Sequence, residues 1–256
     1  MALKWWRRKP DAEVLRQPAT SRAGGAAFCK AEGTTPCITV CTPTEGCVCG
    51  CAEIRQALEE EIRARGLEVR VGSMKVGCNG TCPYGPLVGF PRSGFYYRGL
   101  TPARARQVVS ETLENGHLLF DLLYVDPLHS TSGRFLYDYA SGFIAVIDDS
   151  HCMVQVAKYF LDFDKGVSCG KCTPCRAGFP YLREILETIA QGEGRPQDIQ
   201  SMATILEAMN QATCCEYAAT GSGPVSAILK HFRTEFDFHI EQKLCPSGGC
   251  IKLKRA

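Results

Sequence analysis

The chain has 256 residues, 45% of them hydrophobic, which is enough for two small domains with their own cores. Its 29 Lys and Arg against 27 Asp and Glu leave a net charge of +2. No basic excess points to nucleic acid, and no apolar run is long enough to span a membrane. The chain also has 16 cysteines. No apolar signal segment follows Trp5, Trp6, Arg7 and Arg8, so a secreted disulfide scaffold is disfavoured and metal ligation in a reducing, cytoplasmic setting is expected.

In chain order, residues 1–33 are rich in Arg, Ala and Gly and read as a tail with a short helix near Asp11–Gln17. Residues 34–125 read as a compact α/β unit. Ile38, Thr39 and Val40 form a strand ending at Cys41. Ile54, Ala57, Leu58 and Ile62 recur at helical spacing, and Gly66 closes that helix. Leu67, Val69 and Val71 alternate as a second strand. A hairpin is expected over Leu87–Phe90 and Phe95–Tyr97, with Pro91 and Gly94 in its turn. Thr101 and Pro102 are an N-cap and first helical residue for a helix carrying Ala105, Val108, Val109 and Leu113.

Residues 126–147 read as a connector holding one strand, Gly142–Ile147, with a hinge-like composition at Ser130–Gly133. Residues 148–243 read as four amphipathic helices. The first is capped by Asp148, Asp149 and Ser150; the second covers Tyr181–Gln191, the third runs from Asp198 to Ala212, and the fourth starts at Pro224. Short loops between them predict a four-helix bundle. Residues 244–256 form a cysteine-containing tail. The expected class is therefore α+β: a thioredoxin-like α/β unit followed by a four-helix bundle.

The cysteines fall into sets with ligand spacing. Ser168 to Arg176 reads S-C-G-K-C-T-P-C-R, placing Cys169, Cys172 and Cys175 at C-x2-C-x2-C. A triplet of this kind wraps three corners of a [4Fe–4S] cube and needs a remote fourth thiolate, whereas zinc sites usually pair two close dyads. Cys214 and Cys215, between the third and fourth helices, are the candidates. Cys41 and Cys47 lie on the loop after the first strand, and Cys78 and Cys82 on a Gly-rich loop after the second. Two loops each offering two thiolates at one end of a sheet suit a [2Fe–2S] cluster. Cys152, His239, Cys245 and Cys250 remain, a Cys3His set suited to structural zinc. C-x-x-C redox chemistry is disfavoured in the first unit, because Cys47-Val48-Cys49 and Cys49-Gly50-Cys51 have the wrong spacing.

Two stretches carry family resemblances. Cys78 and Cys82 at C-x3-C, Gly85-Pro86-Leu87-Val88, Ala57-Leu58-Glu59-Glu60 and Arg65-Gly66-Leu67 resemble the thioredoxin-like [2Fe–2S] domain of the 24-kDa-type subunit of NADH dehydrogenases. The resemblance is closer still to the version fused to the flavoprotein subunit of NAD-linked and bifurcating hydrogenases. One departure stands out: the family's first pair is usually C-x4-C, position 46 here is Gly, and Cys41 to Cys47 is C-x5-C. Cys47 serves if the loop shifts by one residue, with Cys37, Cys49 and Cys51 as nearby alternatives. Asp149–Val154, Ser168–Gly178 and Gly223-Pro224-Val225 resemble the C-terminal [4Fe–4S] domain of the 51-kDa-type flavoprotein subunit. Counting back from Pro224, that resemblance puts the fourth ligand on Cys215.

The resembling flavoprotein subunits bind FMN and NADH in a domain preceding the bundle. Only the short connector separates the two units here, with no G-x-G-x-x-G loop, so no FMN or NAD site is expected. The resemblance thus implies two electron-carrying ends joined directly. Such a chain would relay single electrons within a hetero-oligomer, alongside flavoprotein, hydrogenase or other oxidoreductase subunits. The competing readings are a non-redox zinc-binding adaptor and a cluster-based redox sensor.

Overall fold

The computed structural model describes residues 28, 36–42, 47–80, 84–124, 133–211 and 215–255. The expected Asp11–Gln17 helix, Cys29, Cys82, Cys214 and the Ser130–Ser132 part of the expected hinge lie outside the described residues.

Strand β1 (Ile38–Cys41) is buried at every position and sits in the middle of a seven-stranded sheet. It leads to α1 (Cys51–Ala64), which buries Ile54, Ala57, Leu58 and Ile62. Gly66 ends that helix in the left-handed region at φ 64°, a conformation glycine adopts without steric cost. Strand β2 (Val71–Gly77) then pairs in parallel with β1, Val71 opposite Ile38 and Met74 opposite Cys41. The expected second strand began at Leu67. The observed one begins at Val71 because β1 offers no partner before Ile38, while Leu67 and Val69 still pack against the core.

Strands β3 (Val88–Phe90) and β4 (Phe95–Tyr97) form the expected hairpin, with β3 antiparallel to β1. Thr101 caps α2 (Pro102–Gln107) by accepting the Arg104 N–H at 3.3 Å. The helix continues in wide π-type turns over Val108–Glu114, burying Val108, Val109 and Leu113. Strand β5 (Leu123–Tyr124) closes the β4 edge.

The connector is more integrated than its sequence suggested. Strands β6 (Phe135–Asp138) and β7 (Phe143–Val146) form a hairpin, and β7 pairs antiparallel with β2, Lys75 opposite Val146. All four β7 residues are buried, so the hairpin extends the first unit's sheet. The buried Thr39 hydroxyl donates to the Ile147 carbonyl at 2.5 Å, tying the sheet's centre to the end of the hairpin.

Four helices follow near the expected places: α3 (Met153–Val167), α4 (Phe179–Ala190), α5 (Pro196–Gln211) and α6 (Tyr217–His231). α3 packs against α4 and α6, and α5 against α4 and α6, around Leu161, Phe179, Leu182, Met202, Met209 and Val225. Two boundaries differ from expectation. α3 has Cys152 at its N-cap with no side-chain cap. Asp148 instead closes a turn onto the Ser150 N–H and His151 Nδ1, both at 2.9 Å, and the Met153 N–H finds the Glu235 carboxylate at 3.1 Å. α6 starts at Tyr217 rather than Pro224, running through Gly221-Ser222-Gly223. The missing proline N–H forfeits one bond, to the Thr220 carbonyl, and the two glycines let α6 approach Asp164 and Tyr137 closely. This Gly-Ser-Gly stretch is therefore a helix-packing surface.

Beyond α7 (Arg233–Asp237), wide π-type turns over Phe238–Gln242 carry His239. The expected tail is folded: β8 (Leu244–Cys245) pairs in parallel with β9 (Lys254–Arg255), and Cys250 lies on the loop between them. Among the described residues no helix is long and apolar enough to cross a membrane.

Candidate metal centres

Among the described cysteines Cys37 is disulfide-bonded, and the others gather at three places.

The first is a buried tetrad. Cys152, His239, Cys245 and Cys250, the set expected from the leftover residues, place their ligand atoms within 4.8 Å of one another. Cys152 Sγ lies 3.3 Å from His239 Nε2 and 3.7 Å from Cys250 Sγ, and Cys250 Sγ lies 3.4 Å from His239 Nε2. Ligands about 2.3 Å (sulfur) and 2.0–2.1 Å (nitrogen) from a tetrahedral zinc are separated by about 3.8 Å and about 3.5 Å, so the donor set fits. Four atoms converging on one point hold a single ion, whereas the thiolates of a cube each bind a different metal atom. His239 Nδ1 donates to the Glu235 carbonyl at 2.6 Å, which leaves the Nε2 lone pair facing the thiols. The hydrogen bond between Cys152 and Cys250 splits the pair. It pulls Cys250 down to about 4 against burial, with help from His239, and pushes Cys152 up. Burial works against the His239 cation, but the Cys250 thiol and the Glu235 carbonyl outweigh it and raise its pKa.

The second place is the Ser168–Arg176 loop at the C-terminal end of α3. Gly170 sits at φ 63°, and its N–H donates to the Ser168 hydroxyl at 3.2 Å, which folds the loop back after Cys169. Wide turns over Pro174–Gly178 lead directly into α4. Cys169 is exposed, Cys172 half-buried and Cys175 buried. Cys215 stands just before α6. Burial raises the Cys175 pKa most, Ser168 lowers it, and the Cys172 and Cys215 thiols raise it further. Beside the loop is a cavity of about 570 Å³ lined by Lys171, Cys172, Pro174, Tyr181, Ile205 and Met209.

The third place lies at the ends of β1 and β2. Cys41, Cys47, Cys49, Cys51 and Cys78 belong to one cluster of packed side chains. Cys41 Sγ is 2.7 Å from Cys51 Sγ and accepts the Leu87 N–H at 3.4 Å. The bond with Cys51 lowers the Cys41 pKa and raises that of Cys51. The Val48 N–H donates to the Gly80 carbonyl at 3.4 Å, laying the Cys47–Cys49 segment along the loop that follows Cys78. Cys82 lies outside the described residues.

Sequence reasoning missed two residues that hold the tetrad in place. Glu235 orients His239 through its carbonyl, and its carboxylate binds the Met153 N–H next to Cys152. Lys75, on β2, pairs with that carboxylate and donates to the His151 carbonyl at 2.8 Å and the Ser247 hydroxyl at 2.9 Å. Neither position carries a sequence signal, since one looks like a solvated helix residue and the other like an outward strand residue.

Residues 155–239 match the family described as the NADH-ubiquinone oxidoreductase-F iron-sulfur binding region. The chain is 38% identical over 113 residues to the HndC subunit of the NADP-reducing hydrogenase of Solidesulfovibrio fructosivorans, covering 44% of this chain and 23% of that one. It is 40% identical over 103 residues to the F 2 subunit of the NADH-quinone oxidoreductase of Rhizobium meliloti (strain 1021), covering 40% and 24%. The match thus spans about a quarter of the length of these relatives. A solved NAD+-reducing [NiFe]-hydrogenase in the H2-reduced state aligns with 32% identity over 38% of this chain and 17% of that chain, with a TM-score of 0.36. Residues 155–239 are thus similar to the iron–sulfur binding region of NADH-ubiquinone oxidoreductase F.

Proposed function

We propose that this chain is an electron-relay component of a multisubunit oxidoreductase of the NADH dehydrogenase or hydrogenase type, working in the cytoplasm. The observation that carries the reading is the Cys169, Cys172 and Cys175 triplet on one loop, inside the region matching the oxidoreductase-F iron–sulfur family, which also contains Cys215. These four thiolates would hold a [4Fe–4S] cluster. Cys41, Cys78 and Cys82, with one thiol of the Cys47–Cys51 segment, would hold a [2Fe–2S] cluster. A thioredoxin-like first unit is supported by parallel β1 and β2 joined through α1, with β3 and β4 antiparallel beside β1. A four-helix-bundle second unit is supported by the mutual packing of α3 to α6.

Bound clusters would supply one-electron transfer at potentials set by charge, hydrogen bonds to sulfur and exposure. The chain's own residues provide those levers. The Leu87 N–H donates to Cys41 Sγ, and Ser168 lowers the Cys175 pKa. Lys171 and Arg176, on the ligand loop itself, favour added negative charge. The exposure of Cys169 and Cys215 gives a partner access to the second site. The relatives' names, an NADP-reducing hydrogenase and NADH-quinone oxidoreductases, suggest partners that contribute the flavin or hydrogen-activating centre. We assign the buried tetrad to structural zinc.

The test is EPR of the dithionite-reduced protein, prepared anaerobically, together with iron, sulfide and zinc analysis. The reading requires two distinct signals, about six irons per chain and about one zinc. Cys172→Ser should abolish the four-iron signal and leave the two-iron signal. A colourless, EPR-silent protein with zinc in place of iron would establish the adaptor reading instead.

A further inference from the structure

We propose that Cys51, rather than Cys47, is the thiolate that shares an iron with Cys41. This rests on the [2Fe–2S] reading above and names a ligand that the loop spacing leaves open. Cys41 is the last residue of β1 and Cys51 the first of α1. Their approach, 2.7 Å between sulfurs, is therefore set by the packing of a strand against a 14-residue helix and not by the intervening loop. Both are nearly inaccessible, at 6% and 4% exposure. Cys47 is half-buried on the loop itself, next to Val48, which is 80% exposed.

Gly50, at φ 70°, turns the chain directly into α1, which fixes Cys51 as the first residue of the helix, and the Leu87 N–H donates to Cys41 Sγ at 3.4 Å. Two ordered thiolates on regular elements make a pre-organised pair, and Cys78 lies in the same packed cluster. Two sulfurs on one tetrahedral iron stand about 3.8 Å apart, taking a metal–sulfur distance of about 2.3 Å. That is about 1 Å wider than the separation observed, so the two sulfurs would part by that amount on binding. Ligation here is not a redox step: each thiol releases its proton and donates a sulfur lone pair.

The experiment compares Cys51→Ser and Cys47→Ser in the full chain purified anaerobically, reading the reduced [2Fe–2S] EPR spectrum and iron content. Cys47→Ser should match the unaltered protein. Cys51→Ser should lose the signal or shift it, as exchange of sulfur for oxygen on iron demands. Alkylation of the cluster-loaded unaltered protein gives a second readout that does not depend on a variant folding. Iodoacetamide should modify Cys47, located by peptide mass, without bleaching the two-iron absorption. The proposal is overturned if Cys51→Ser keeps the unaltered spectrum, if Cys47→Ser changes it, or if Cys47 is protected until iron is removed. An unaltered protein with no two-iron signal at all would instead refute the underlying cluster reading.

Discussion

Asp164 is a buried carboxyl, 3% exposed, in the last turns of α3, outside every proposed ligand set. Its main partner is the Tyr217 hydroxyl, which donates to Oδ1 at 3.1 Å. Burial pushes the Asp164 pKa up to about 6, and the tyrosine bond only partly opposes this. The unfolded value is 3.8, so the folded state binds the proton more tightly. Its stabilising contribution is full below pH 3.8 and is lost as pH rises through about 6. Linkage makes the loss between about pH 5 and about pH 7.5 roughly 1 kcal/mol. Asp164→Asn keeps the shape and the tyrosine contact but cannot ionise. Its advantage in urea midpoint over the unaltered protein should be largest at about pH 7.5, shrink towards about pH 5 and vanish only below pH 3.8. Equal midpoint differences at both pH values would show that Asp164 titrates normally. At this scale the sequence was informative where chemistry repeats at a fixed spacing. The Cys3His set was legible because ligand type and count single it out, and the structure brings its four ligand atoms within 4.8 Å of one another. Glu235 was not, because its role depends on a backbone carbonyl and a carboxylate pointing in two directions at once, and no residue pattern encodes that.

Elements were legible where a core face dictated a period. α1, the β3–β4 hairpin and the four long helices stand close to their expected positions because each buries one apolar side. What escaped was partnership. The strand at Gly142–Ile147 was visible, yet only the structure shows β7 pairing with β2, since pairing depends on distant residues competing for one sheet edge. Gly77 illustrates the packing that results. It lies at the end of β2 under α6, and a Cβ there would come within 2.8 Å of both His231 Cβ and Ile144 Cγ2. The first of these is anchored to the α6 backbone and cannot swing away. Gly77→Ala should therefore cost about 1–3 kcal/mol, the range for overpacking a filled interior. Gly166→Ala in α3 meets nothing within 4 Å and should stabilise by about 0.5–1 kcal/mol through the helix preference of alanine. Thermal denaturation of the two variants checks both signs, and an unchanged melting temperature for Gly77→Ala would mean that α6 does not rest on β2.

At the scale of the whole molecule, the units expected as two beads on a connector are joined at several places. One joint is the continuous sheet through β2 and β7. Another is Lys75, which carries three contacts from the first unit into the second: the Glu235 carboxylate, the His151 carbonyl and the Ser247 hydroxyl. Both charged side chains are about 15% exposed or less, so the pair is largely withdrawn from water. Breaking such a pair from one side leaves an uncompensated charge and costs about 3–5 kcal/mol. Lys75→Met should therefore destabilise strongly, while Lys75→Met combined with Glu235→Gln should recover part of the loss because no charge is then stranded. The tetrad supplies a readout beyond stability. Glu235 fixes His239 from the same turn that Lys75 holds, so a displaced Glu235 loosens one of the four ligands. Changes to the groups that orient a metal's ligands typically weaken metal binding by about 10–100-fold. Zinc competition with a chromophoric chelator should show Lys75→Met releasing its ion at least tenfold more readily, and the Cys245–Cys250 loop should become open to protease. The four-iron EPR signal should persist in the same samples, because the Ser168–Arg176 loop runs from α3 into α4 and its helical turn packs against α5. Simultaneous loss of zinc and of that signal would mean that the tetrad supports the whole helical half and not only the joint between the units.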